Sequence, residues 1–402
     1  MSAAPIYFDN NATTRVDPRV LEAMLPFFSE QFGNASSMHA FGAQVGGALK
    51  RAREQVQELL GAEFDHEIVF TGGGTESDNT AILSALETQT GRNEIITSAV
   101  EHPAVLALCD WLQKTRGVKV HRIGVDAKGR LDLDAYRKAL GPKTAIASIM
   151  WANNETGTLF PVEQLAELAH EAGVLFHTDA VQAVGKIPLD LKNSEIDFLS
   201  LSAHKLHGPK GIGALYVRRG VRLRPLIRGG HQERGRRAGT ENAPAIVGLG
   251  KAAELALQYM PEELGRVREL RDRLEQGIVA RIPRCLVNGD ISQRLPNTSN
   301  IAFEFIEGEA ILLLMNQHGI AASSGSACTS GSLEPSHVLR AMNIPYTAAH
   351  GSTRFSLSRE NTQEEVDRVL AVMPGIIARL RELSPFWQDD APASAEFKPS
   401  YA

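Results

Sequence analysis

The stretch Ser200-Leu201-Ser202-Ala203-His204-Lys205-Leu206-His207-Gly208-Pro209-Lys210-Gly211 sets a serine, a histidine and a lysine at the end of an apolar run, where a strand should meet a glycine-rich turn. Upstream, His177-Thr178-Asp179-Ala180-Val181-Gln182 ends a second strand-like run in a carboxylate. This residue set suits a pyridoxal 5'-phosphate enzyme. Lys205 can form the Schiff base, Asp179 can hold the pyridinium nitrogen protonated so that the ring acts as an electron sink, and Ser202 and His204 can bind phosphate. The expected chemistry is therefore at the α-carbon of an amino acid. A lysine after a strand is ordinarily a solvated turn residue, but Ala203, Leu206, Gly208, Gly211 and Gly213 describe a close-packed surround. Asp179 could instead cap the next segment through Val181, although its flanks His177 and Gln182 favour a buried polar site.

Other residues extend the set. Thr71-Gly72-Gly73-Gly74-Thr75-Glu76 follows a strand and opens a helix, which offers unpaired backbone N–H groups and a positive dipole end to a phosphate, with the Thr75 hydroxyl beside them. Three glycines at such a turn are also ordinary tight-turn geometry, so the motif gains weight only from Lys205 and Asp179 at other strand ends of the same sheet. His102 follows a strand and precedes the helix start marked by Pro103, where it could stack on a flat ring and relay protons or simply hold a hydrogen bond. In Asn153-Asn154-Glu155-Thr156-Gly157 an amide could reach the cofactor or substrate, the alternative being a plain Asn/Gly turn. Arg354 begins a short alternating strand and could clamp a carboxylate with two parallel hydrogen bonds, or be a surface arginine on an edge strand. Cys328 sits in Ala321-Ala322-Ser323-Ser324-Gly325-Ser326-Ala327-Cys328-Thr329-Ser330-Gly331, where small residues have almost nothing to bury it with. It is the candidate nucleophile, whereas Cys109 lies among apolar neighbours.

The elements that must position these residues follow from the apolar runs. Strands are expected over Glu67–Thr71, Glu94–Val100, Val118–Ile123, Thr144–Ala152 and Val174–Ala180, with helices such as Glu76–Thr90 and Val162–Ala172 between them, which argues for a mostly parallel sheet covered by helices. Asp197–Ala203 and Gly213–Arg218 read as a hairpin added to that sheet. An amphipathic stretch over Ala245–Arg281, which Pro261 should kink or break, leads to strands over Asn300–Glu304 and Arg354–Leu357 and helices over Glu309–His318 and Gln363–Glu382. With 402 residues, 43% hydrophobic and 22% charged, the chain has the composition of a soluble two-domain enzyme. A net charge of -5 gives no footprint for nucleic acid, and the lack of a basic start, an apolar leader or a run of about 18 apolar residues points to a cytoplasmic protein without membrane partners. Three scattered cysteines make neither a disulfide framework nor a zinc site, so no intrinsic metal is expected.

Together these residues resemble the cysteine desulfurases, pyridoxal-phosphate enzymes of the class V aminotransferase fold (fold type I). The motifs are Phe8-Asp9-Asn10-Asn11-Ala12-Thr13-Thr14, Gly74-Thr75-Glu76-Ser77, Glu101-His102, Asn153-Asn154-Glu155, Asp179-Ala180 with Gln182, Ser202-Ala203-His204-Lys205, Arg237-Ala238-Gly239-Thr240-Glu241-Asn242 and Ser323-Ser324-Gly325-Ser326-Ala327-Cys328. The long serine-rich cysteine loop resembles the group I branch. Within it, Trp151–Pro161 and Gly230–Arg237 look more like the nitrogen-fixation NifS type than the housekeeping IscS type.

The resemblance implies an α/β fold with a large cofactor-binding domain over 15–255, a smaller α+β domain made of 1–14 plus 256–385, and a mobile tail over 386–402. It implies that Lys205 holds the cofactor, Asp179 pairs with the ring nitrogen, and Gln182 and Asn154 approach the phenolic oxygen. His102 would stack on the ring, Gly74, Thr75, Ser202 and His204 would bind phosphate, and Arg354 with Asn154 would bind the substrate. Thr240 would reach the cofactor phosphate of a partner subunit, hence a homodimer. The implied activity converts L-cysteine to L-alanine with a persulfide on Cys328. The sulfur would go to an iron–sulfur scaffold protein, NifU-like or IscU-like, where Cys328 could be a transient cluster ligand. Two other readings remain open at this point: an aminotransferase or β-lyase such as a selenocysteine lyase, and a sulfur carrier that uses Cys328 without a cofactor.

Overall fold

Runs of four to six mostly aliphatic, aromatic and small residues form the longer strands of the computed structural model, which describes residues 4–324 and 335–387. Cys328 and the tail from Gln388 onward lie outside the described residues. The strands are β1 (Ile6–Tyr7), β2 (Ile68–Thr71), β3 (Glu94–Ser98), β4 (Lys119–Ile123), β5 (Thr144–Ser148), β6 (Leu175–Asp179), β7 (Phe198–Ser202), β8 (Gly213–Val217), β9 (Cys285–Asn288), β10 (Thr298–Phe303), β11 (Ile320–Ala321) and β12 (Ser352–Ser356). Of these, β2, β5, β7, β8, β10 and β12 are buried along their whole length.

Seven strands make one sheet in the order β2-β8-β7-β6-β5-β3-β4, parallel throughout except for β8, which runs antiparallel to both β2 and β7. Side chains alternate between two apolar layers. Ile68, Phe70, Ile96, Ala147, Leu199 and Leu201 face one, while Val69, Ile95, Ile146 and Phe198 face the other. A smaller antiparallel sheet, β12-β10-β9, carries its own core of Ile301, Phe303, Phe355, Leu274, Val366 and Met373. Ile6 and Phe8 from the start of the chain join that core, and β1 pairs in parallel with β11.

Register decides what the large sheet brings together. Gly213 of β8 pairs with Thr71 of β2 on one side and with Ser202 of β7 on the other, so the glycine turn after Thr71 and the turn after Ser202 flank one strand end. A Cβ on Gly213 would lie 2.4 Å from the Leu201 carbonyl oxygen and 2.8 Å from Gly73 Cα, which is why only glycine serves there. Asp179 of β6 lies beside Ser200 of β7.

Two expectations are corrected. The strand expected over Thr144–Ala152 ends at Ser148, after which the chain leaves the ladder with β3 while Ile149 and Trp151 still donate backbone N–H groups to His177 and Asp179. Pro261 does not break its helix: Ala243–Glu262 runs through it and continues by a π-helical turn, Glu263–Val267, into Arg268–Arg281. Among the described residues no helix is long and apolar enough to cross a membrane.

Candidate active site

The carboxyl ends of β2 and β7 open on a cleft of about 530 Å³, lined by Ala12, Thr13, Gly72 to Glu76, Ser202, His204, Lys210 and Gly211. Its wall is the N-terminus of the helix Gly74–Thr88, with no side-chain cap at Gly73 to consume the first backbone N–H groups. A Cβ on Gly74 would meet Val181 Cγ2 at 2.7 Å, so the helix start comes as close to β6 as glycine permits. Thr71 Oγ1 and Ser77 Oγ, 2.8 Å apart, hold the turn, and Glu76 accepts the Gly72 N–H at 2.7 Å while pairing with Arg237 at 3.0 Å. The carboxylate beside the cup is thus already matched by a cation. Burial, with Lys205 and Lys210 adding to it, pushes His204 down to about 4, and its Nδ1 lies 3.2 Å from Thr13 Oγ1. A neutral imidazole, hydroxyls, helix N–H groups and Lys210 make a donor set suited to a phosphate.

A single 3-10 turn, Ala203–Lys205, carries the chain off β7 and delivers the Lys205 amine to the carbonyl oxygens of Asn11 and Ala12 at 2.6 and 2.8 Å. Asp179, buried at the end of β6, accepts the Val181 N–H at 2.9 Å. The capping role that the sequence left open for Asp179 is therefore real, and it leaves the second carboxylate oxygen for the cleft. Burial raises Asp179, while His102 and Lys205 pull it back down. Two further acids lie behind it. Asp78 is driven well up by burial and then by Asp179, and Glu101 is pushed up to about 8 by burial. Only Asp179 faces cations, so the negative charge of the cluster belongs there. His177, between Ser148 Oγ at 2.8 Å and Ser200 Oγ at 2.9 Å, is pushed down to about 3 by burial and stays neutral.

His102 caps the helix Pro103–Arg116, its Nδ1 accepting the Ala104 N–H at 3.2 Å, so in the neutral ring the proton rides on Nε2. Burial lowers its basicity and Asp179 opposes that. Gln182 is buried, with its Nε2 donating to the Asn11 carbonyl at 3.0 Å. Arg354 is not a surface arginine: it is buried, donating through Nη1 to the Asn154 carbonyl and through Nη2 to Asp9 Oδ1, both at 2.8 Å. Its buried Nε has no partner among the described residues. Thr240 is exposed and does not line the cleft of its own chain.

Cys328 lies outside the described residues, but the described residues before and after it are tied to Arg354, Glu155 and Glu101. Ser323 exchanges backbone hydrogen bonds with Arg354 at 3.2 and 2.6 Å, Ser336 Oγ donates to Glu155 at 2.5 Å, and His337 Nε2 lies 3.0 Å from the Glu101 carbonyl. Cys109 is buried, its thiol pushed up to about 12 by burial, and Cys285 is raised by burial as well. Three residues near the site have no assigned role in the sequence reading: Asn11, quoted there only within a motif, whose carbonyl takes Lys205, and the buried Asp78 and Lys186. The signal for the last two was spacing. Asp78 lies four residues after Gly74 and Lys186 four after Gln182, on the same turn faces.

Residues 6–369 match the aminotransferase class-V family. The chain is 78% identical over 397 residues to a cysteine desulfurase of Gluconacetobacter diazotrophicus, covering 99% of each. It is 66% identical over 389 residues to the cysteine desulfurase NifS of Azotobacter vinelandii, covering 97% of this chain and 96% of that one. Among solved structures it is similar to a NifS-like protein, with a TM-score of 0.87 at 40% identity over 94% of this chain and all 100% of that one. It is also similar to SspA in complex with cysteine, with a TM-score of 0.78 at 37% identity over 88% and 98%.

Proposed function

The chain belongs to the aminotransferase class-V family, and we propose that it is a pyridoxal 5'-phosphate-dependent cysteine desulfurase. It converts L-cysteine to L-alanine and delivers the sulfur, by way of a persulfide on Cys328, to an iron–sulfur scaffold protein of the NifU-like or IscU-like kind that serves nitrogenase maturation. The observation that carries this reading is that Lys205, Asp179 and the Gly74 helix start gather at the carboxyl edge of one sheet, since amine, buried carboxylate and anion cup are the groups the cofactor requires.

The cup of Gly74, Thr75, Ser202 and His204 would hold the phosphate, Asp179 the ring nitrogen, Gln182 and Asn154 the phenolic oxygen, and His102 the ring face. When bound, the cofactor supplies an electron sink for the α-carbon. The chain supplies the rest. Lys205 takes and returns the proton at the α-carbon, and its two carbonyl acceptors mark where the amine rests. Arg354, held by Asp9 and Asn154, is the residue we assign to the substrate carboxylate. The Cys328 thiolate attacks the substrate sulfur: an S–S bond forms as the carbon–sulfur bond breaks, and the electron pair left on carbon is protonated to give alanine.

A second copy of the chain completes the site. Leu21, Leu25, Phe28, Phe32, Met38 and Phe41 are exposed within one short stretch, Phe28 at 63% and Phe32 at 68%, an apolar surface that a homodimer would cover and that would bring Thr240 to the partner's phosphate. The second core, shared by Ile6, Phe8 and the C-terminal elements, supports a smaller domain made of 1–14 plus 256–385.

The test is incubation with isotopically labelled L-cysteine without thiol reductant, followed by mass spectrometry of the Cys328 peptide and an alanine assay. Label on Cys328 with stoichiometric alanine is the expected result. Sulfide release that Cys328→Ala leaves unchanged would move the chain to the β-lyase reading.

A further inference from the structure

Lys186 is a buried lysine that the chemistry above leaves without a task. It lies in the turn that follows Asp179, and its Nζ donates to Gln182 Oε1 at 2.9 Å and to Asn11 Oδ1 at 3.2 Å. A lysine ammonium has donors and no acceptor, so the Gln182 atom turned toward it must be the oxygen. The Gln182 amide nitrogen is thereby sent to the other side, where one N–H goes to the Asn11 carbonyl at 3.0 Å. Among the described residues no protein acceptor takes the second N–H. The reversed amide would set N–H against N–H in a buried place and leave the lysine short of an acceptor.

The same Asn11 carbonyl receives the Lys205 amine at 2.6 Å. The Asn11 side chain is held on every side: Oδ1 also takes the Asn297 amide at 3.1 Å, and Nδ2 donates to Thr298 Oγ1 at 2.9 Å. One asparagine therefore joins the two lysines, Lys186 at its side-chain oxygen and Lys205 at its backbone oxygen.

We propose that Lys186 is a positioning residue: it fixes the Gln182 amide so that an N–H faces the cofactor's phenolic oxygen. The proposal rests on the pyridoxal-phosphate reading of the site. The charges that act on Lys186 are those of Lys205, Arg354 and Glu263, while His207 and Arg359 belong to the same charged group. Burial, then Lys205, lowers Lys186 to about 7, yet the neutral amine still has two N–H groups for its two acceptors. A reversed amide would also set Gln182 Oε1 against the Asn11 carbonyl oxygen, so the orientation holds on either side of that pH.

An N–H donated to the phenolic oxygen draws its negative charge away from the Lys205 nitrogen and lowers that nitrogen's affinity for a proton. The test is a pH titration of the cofactor absorption band of the holoenzyme, with pyridoxal 5'-phosphate in excess and no cysteine present. Lys186→Met and Gln182→Ala should each raise the midpoint by roughly half a pH unit or more, and the double variant should stop where Gln182→Ala alone does. Additive shifts, or a Lys186→Met midpoint equal to that of the unaltered enzyme, would overturn the proposal. Lys186→Gln, which keeps a donor for Gln182 Oε1, is the second probe and should lie nearer the unaltered enzyme than Lys186→Met does. A larger shift in Lys186→Gln than in Lys186→Met would also overturn it. Failure of the underlying reading shows elsewhere, as an unaltered enzyme with no absorption band that borohydride removes.

Discussion

At the scale of single residues the site separates charge by burial. Lys205→Ala should abolish turnover and borohydride-stable labelling while leaving the circular dichroism spectrum unchanged, because the amine that anchors the cofactor and moves the α-proton is lost without disturbing a packed side chain. Cys328→Ala should make neither persulfide nor alanine while still changing the cofactor spectrum on addition of L-cysteine. Cys109→Ala should be silent in the same assays, since burial holds that thiol up at about 12. Glu101 offers a test in stability. Its carboxyl is raised from 4.5 to about 8 by burial, so between those values the folded chain binds the proton that the unfolded chain has released. Stability should therefore fall as pH rises through that window, by on the order of a few kcal/mol. Glu101→Gln should flatten the dependence, which melting curves at pH 5 and pH 8 would show as a smaller gap between the two. A gap as large as in the parent protein would mean that Glu101 is not neutral when folded.

At the scale of elements, the glycine turn and the helix behind it make the anion cup, and their closeness to β6 is what the glycines permit. Gly74→Val would drive a branched side chain into the space where a Cβ alone meets Val181 Cγ2 at 2.7 Å. The helix should survive, as β-branched residues cost it only tenths of a kcal/mol, but the cup should open. We expect cofactor affinity to fall by roughly tenfold or more, about 1.4 kcal/mol, and the clash to lower the melting temperature of the cofactor-free protein as well. Equilibrium dialysis against pyridoxal 5'-phosphate reads the effect directly. Unchanged affinity would take the phosphate away from this turn.

At the scale of the whole molecule, the exposed aromatic stretch and the outward-facing Thr240 ask for a second copy. Met38→Asp combined with Phe41→Asp should give a folded monomer in light scattering and, because each site borrows a threonine, a lower cofactor occupancy as well. A dimer that persists in this variant would place the interface elsewhere. Thr240→Ala should leave the dimer intact and lower occupancy alone, which separates the two contributions.

Residue types and spacing put Lys205, Asp179, Ser202, His204, Gly74 and His102 forward as candidates, because each stands at or just after the end of an apolar run and such ends gather at one edge of a parallel sheet. The same signal placed β6, β7 and β8 to within about a residue at each end. Alternation and turn chemistry are local, and local patterns survive in the sequence. Tertiary structure alone decided the rest. Nothing near Arg354 in sequence shows that it is buried against Asp9 and Asn154, some 345 and 200 residues away along the chain. Nor does sequence show that Gly213 draws Thr71 and Ser202 together, or that Asn11, 194 residues before Lys205, holds both that amine and Lys186. These depend on register and on long-range closure of the chain, where a one-residue slip would send every side chain to the opposite face.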